Sequence, residues 1–217
     1  MFLTLKTIAT IGFVLVSSLL FTSTVMAQEA PATVKEGPAV IQYNGDMANI
    51  LSHLPSVYGR TIGLEIDPRQ PRSTVGFDLR HPTLADVLNA ITKSAPIYQW
   101  SEKGSFIEVV PVGGGSPFLD TRISNFHVDY ADPAEAINQL MNLPEVQAVM
   151  NLMRLRYQDL SGASATPNSK KMSFTVQNVT LREVLNKIAD ENGSRFWTLK
   201  RNGAGVISIS IAPISGH

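Results

Sequence analysis

The nine residues Thr83-Leu-Ala-Asp-Val-Leu-Asn-Ala-Ile91 return 97 positions later as Thr180-Leu-Arg-Glu-Val-Leu-Asn-Lys-Ile188. Six of the nine are identical, and Asp86 is exchanged for Glu183. A self-match at fixed offset means that one supersecondary unit is used twice, and this constrains the fold more than any bulk property. In the first copy Leu84, Val87, Leu88 and Ile91 recur at helical spacing and form one apolar stripe. Thr83 with Asp86 has the pattern of a capping box, in which the threonine oxygen takes an amide three residues on and the acid reaches back. Thr180 with Glu183 repeats the box, and Leu181, Val184, Leu185 and Ile188 repeat the stripe. Asn192-Gly193 supplies a left-handed stop for the second helix.

The flanks repeat as well. Alternating strands precede the two helices, Val75–Leu79 and Met172–Val176. After each helix comes a strand with a tryptophan, Trp100 or Trp197, then a glycine turn and a last strand at 106–112 or 206–214, which reads as a hairpin. Upstream, Ile41–Asp46 resembles Val128–Pro133 at an offset of 87. Asp46 then caps a stripe of Met47, Ile50, Leu51 and Leu54. Asp132, Pro133 and Glu135 open a stripe of Ile137, Leu140 and Met141. The offset grows from 87 to 97, so the second copy carries an insertion, and 158–171 has loop composition. Thr61–Asp67 alternates as a strand. Its counterpart, 153–157, fits either a strand or the end of a helix starting at Pro144, and the helix is favoured.

The fold class expected is α+β, as two tandem β-α-β-β-α-β-β units, each a short sheet packed by two helices. Unit 1 spans 39–112 and unit 2 spans 122–214. The joint, 113–121, has linker composition in Gly113-Gly-Gly-Ser-Pro117. Residues 28–38 read as a disordered tail. Residues 1–27 read as a signal peptide: Lys6, an uncharged apolar run, then Val25-Met26-Ala27 with cleavage after Ala27. An uncleaved anchor is the rival, but the apolar run is short for a span of about 20 residues. The chain without its leader has 190 residues, with 17 basic against 18 acidic side chains. That balance gives no bulk attraction for nucleic acid or anionic lipid. With no cysteine, thiol catalysis, cysteine zinc sites and disulfides are excluded.

Chemistry-bearing patterns are sparse. The histidines, His53, His81, His127 and His217, show no metal-ligand spacing. His127 and Asp129 share a strand face, with Phe126, Val128 and Tyr130 on the other, and a solvated polar face explains the pair better than a site. His53 reads as a boundary residue and His81 as a turn residue before Pro82. Nucleophile elbows, phosphate loops and dinucleotide fingerprints do not occur. Met141, Met150 and Met153, beside Leu143, Leu152 and Leu155, form a stripe suited to an adaptable interface but better explained as core. The expectation is therefore no enzyme, no cofactor, no metal and no catalytic residue.

The segment with Gly59, Leu64, Thr83, Leu84, Leu88, Ile91 and Trp100 resembles the secretin and TonB short N-terminal (STN) domain over roughly 40–112. The second unit matches it from Met172 onward and departs before that. The resemblance implies a periplasmic protein–protein interaction module whose partner is an envelope complex such as a secretin, a TonB-dependent receptor or a similar machine. Contact with the membrane would come only through that partner. Since no β-barrel sequence follows the units, the expectation is an exported accessory or adaptor and not the secretin or receptor itself. The alternative is a periplasmic ligand-binding protein that closes the cleft between its two units through the glycine joint. The sequence leaves the docking unit and the oligomeric state open.

Overall fold

The computed structural model describes residues 38–70, 72–159 and 170–211. The expected leader, nearly all of the N-terminal tail, most of the 158–171 insertion, the last residues of unit 2 and His217 lie outside them. The fold is α+β, with five α-helices and ten strands among the described residues. All of these elements belong to one compact unit.

The local signals act as their chemistry requires. Asp46 caps helix α1 (Met47–Tyr58) by accepting from the Ala48 amide, and α1 ends on Gly59 in the left-handed region. The Thr83/Asp86 box opens α2 (Leu84–Ser94), and Val87, Leu88 and Ile91 face inward. Asp132 and Glu135 form a third box at α3 (Pro133–Met141). Helix α4 (Pro144–Leu152) follows and stops short of 153–157, where a turn leads into the two-residue strand Arg156–Tyr157, so the helix favoured for that stretch ends just before it. The Thr180/Glu183 box opens α5 (Leu181–Asn192), which stops at Gly193 with φ 84°. His81 and Asn178, also 97 apart, both adopt positive φ just ahead of the two boxes, so the turn into the helix repeats as well. His81 thus has the turn role expected of it.

The three box acids are held below the usual carboxylate range. At Asp86 the Thr83 hydroxyl is the main cause, at Glu135 the Lys171 ammonium, and at Glu183 the Thr180 amide. A carboxylate with a depressed folded pKa contributes stability above its unfolded value and loses that contribution as the pH falls through the folded one. Stability should therefore decline below about pH 4.3, the ordinary glutamate value. Urea midpoints measured from pH 6 downward should fall less steeply in Glu183→Gln than in the parent chain. Equal slopes would count against the cap as the source.

Strand order is where the tandem expectation needs correcting. In each half two strands leave the main sheet as an antiparallel ribbon: β1 (Val40–Asp46) with β3 (Thr74–Arg80), and β6 (Arg122–Ala131) with β8 (Met172–Thr180). The other six build one sheet in the order β4 (Tyr98–Lys103), β5 (Phe106–Pro111), β2 (Thr61–Ile66), β9 (Phe196–Arg201), β10 (Val206–Ile211), β7 (Arg156–Tyr157). The first three come from the first copy and the last three from the second. Each copy contributes its strands in the same order, so the copies join head to tail. The β2 edge of the first meets the β9 edge of the second in parallel register, Ile62 opposite Phe196 through Ile66 opposite Lys200.

This joint explains the burial along β2. Alternation predicts one buried and one open face, yet all six residues are buried, because Ile62, Leu64 and Ile66 pack with α1 while Thr61, Gly63 and Glu65 face α5 and Trp197 of the second copy. It also explains α5, where Arg182, Asn186 and Asn192 are buried beside the expected apolar stripe. The cores interlock: Phe196 of the second copy packs in the first cluster, with Leu51, Leu64 and Leu88. The 113–121 segment has the open surroundings of a linker only at its start. Gly113 and Gly114 have positive φ and open surroundings, but Pro117–Asp120 forms a 3-10 turn that places Phe118 and Leu119 fully in the second core. The stripe methionines Met141 and Met150 are core, as expected, while Leu152 is 83% exposed.

Candidate functional site

Polar side chains gather at three places: the His127 strand face, the joint between the copies, and the outer edge of the sheet at β4. On the first, His127 and Asp129 do lie on the solvent side of the β6–β8 ribbon. His127 Nδ1 lies 2.8 Å from the Thr175 hydroxyl, and Asp129 accepts from Ser173 at 3.2 Å. Each is thus tied to β8 across the strand pair. No group of three histidine, aspartate or glutamate side chains able to hold a metal occurs among the described residues. One residue departs from its expected face. The register slips between Val128 and Ala131, and in that bulge Tyr130 takes φ 46° and is 75% exposed. A strict period of two would have placed it inward, and a bulge shifts that phase by one residue.

At the joint, a buried ionic cluster ties the copies together. Arg182 of α5 donates to Glu65 of β2 at 2.6 Å and lies 3.4 Å from Glu108 of β5. These three side chains are only 9%, 5% and 7% exposed. The second oxygen of Glu65 accepts from the Ser116 amide, and Lys103 meets Glu108 at 2.8 Å. Each buried carboxylate therefore has a counter-charge and a satisfied lone pair, as desolvated charge requires. Further out, Arg195 donates to the Gly59 carbonyl and to Asp190.

A cavity of about 180 Å³ lies beside this cluster, lined by Glu65, Pro111, Gly115, Leu199 and Arg201 among others. Sites for drug-sized ligands usually enclose roughly 300–1,000 Å³. Glu65 already has partners on both oxygens, so it presents no free carboxylate to the cavity.

The sheet edge carries one member of a side-chain pair that occurs once in each copy. In each copy the tryptophan of the strand after the helix donates its indole N–H to an asparagine of that helix. Trp100 donates to Asn89 at 3.0 Å and Trp197 to Asn186 at 2.7 Å. Asn89 and Asn186 stand at the same place in the nine-residue repeat, so the offset of 97 already contained this pair. Surroundings distinguish the two. Trp197 is wholly buried, because β2 lies against β9 and Gly63 leaves room for its ring. Trp100 is half-buried on β4, the terminal strand of the sheet, with Gln99, Ser101, Glu102 and Lys103 exposed around it. Arg60 pairs with Glu102 and donates to the Gly104 and Ser105 carbonyls, which fixes the turn at the end of this edge.

Neither a protein-family model, nor a curated protein, nor a solved structure matches the chain.

Proposed function

We propose that this chain is a non-enzymatic periplasmic interaction module, an accessory or adaptor of an outer-membrane secretin, transport or signalling complex. The observation that carries the reading is the β2–β9 joint, in which the unit uses the edge of its sheet to bind another copy of itself. A module whose edge is already adhesive within the chain is suited to adding further strands or domains. The STN resemblance of residues 40–112 and the leader-like residues 1–27 supply the compartment and the class of partner. The ligand-binding alternative has less support. Closing a cleft at the glycine joint would break the β2–β9 ladder and the Glu65–Arg182 pair, and the cavity beside them is small.

The test is to crosslink the tagged full chain in the envelope of its host and identify what is recovered by mass spectrometry. A stoichiometric membrane-complex partner is the expected result. Recovery of the chain alone, at native abundance and with efficient crosslinking, would overturn the adaptor reading.

A further inference from the structure

We propose that the outer edge of β4 is a docking site for one extended strand of a partner protein, added parallel to β4 with a glycine opposite Trp100. The inference deepens the adaptor reading and rests on it. Its template lies inside the same chain. β4 and β9 are equivalent strands, each with its indole fixed by the equivalent helix asparagine, Asn89 or Asn186. On β9 the place next to that strand is filled by β2. Among the described residues no strand fills it on β4.

The filled copy specifies the occupant. β2 runs parallel to β9, with Gly63 opposite Trp197 and Glu65 opposite Leu199. A Cβ at Gly63 would lie 2.4 Å from the Trp197 ring, so the position facing the tryptophan excludes any side chain. Carried to β4, the residue facing Trp100 is glycine and the residue two further on faces Glu102. Leu199 of β9 is buried where β4 has the exposed Glu102, whose Oε1 is taken by Arg60, so a basic residue of the occupant at that place meets the other carboxylate oxygen, where β2 carries an acid. The polar edge of β4 also suits a partner that comes and goes, since charged edge residues oppose permanent sheet extension.

A second copy of this chain does not supply such a strand. Its β2 is held between β5 and β9, and β7, which stands where β2 would stand in the second half, has no glycine in Arg156–Tyr157 nor in the described residues after it, Gln158 and Asp159. The occupant is therefore a strand of another protein, recognised by glycine and a basic residue at i+2.

The test uses the full chain and a synthetic peptide with the sequence of residues 59–68 carrying Glu65→Lys. The indole N–H signals of Trp100 and Trp197 are followed by NMR. Saturable shifts of Trp100 and of residues 99–103 are expected, with Trp197 unmoved. The same peptide with Gly63→Val should bind at least about tenfold more weakly, the factor that corresponds to roughly 1.4 kcal/mol of overpacking. Glu102→Lys in the chain should weaken the first peptide and leave the Trp197 signal in place. No shift at Trp100, equal binding of both peptides, or shifts centred elsewhere would each overturn the proposal. Concentration-dependent self-association lost on Trp100→Phe would also overturn it, by making a second copy the occupant. The envelope crosslink reports independently whether any partner exists, so failure of the docking edge and failure of the adaptor reading are distinguishable.

Discussion

Gly63→Ala should destabilise the fold by about 3 kcal/mol, the upper end of the usual range for overpacking. The added Cβ would sit 2.4 Å from Cζ2 and 2.6 Å from Cε2 of Trp197. The ring has nowhere to retreat. It is fully buried, its indole nitrogen is bonded to Asn186, and it belongs to the second core with Leu185 and Ile209. Trp197→Leu removes the clash but opens a cavity and leaves the buried Asn186 without its donor. Alone it should cost about 3–5 kcal/mol. In the double variant the alanine methyl occupies part of the vacated space, so the two losses should fall short of additivity by at least about 1 kcal/mol. Urea unfolding of the four proteins measures this coupling. Strict additivity would mean that the glycine is not there to make room for the ring.

Arg182→Met should cost about 3–5 kcal/mol, because it strands two desolvated carboxylates. Glu65 would keep only the Ser116 amide, and Glu108 only Lys103. The penalty comes from the charge left behind, so neutralising that charge should relieve it. Adding Glu65→Gln to Arg182→Met should restore part of the stability, although it removes a second partner of the original bridge. The parent chain should unfold in one transition, since its halves share a sheet and exchange core residues. Arg182→Met should separate the two halves into distinguishable steps. A loss below about 1 kcal/mol with a single unchanged transition would show that the cluster is hydrated and does not hold the copies together.

What could be read from the sequence follows from how far each signal acts along the chain. Capping boxes, apolar stripes, the left-handed glycine stops and the two tryptophan hairpins all depend on residues within a few positions of one another. A threonine three residues ahead of an acid caps a helix wherever the helix ends up. The repeat multiplied this information by presenting each pattern twice. It even contained the Trp–Asn pairs, although a hydrogen bond between residues eleven apart leaves no local periodicity to mark it.

The sequence by itself determined the helices, most of the strands, the α+β class and the presence of two related copies. Only the tertiary structure decided that the copies fuse through β2 and β9 and do not hang as separate units on a glycine tether. Parallel pairing between strands more than 130 residues apart leaves no pattern in either strand, because backbone hydrogen bonds are the same for every residue type. What marked the joint was a set of breaks in pattern: Gly63 inside a strand, Glu65 on a buried strand, and Arg182 in place of Ala85 at the start of an otherwise repeated helix. Each break looks unfavourable in isolation. The joint supplies the reason for each, a ring that needs space and a carboxylate that needs a partner out of water.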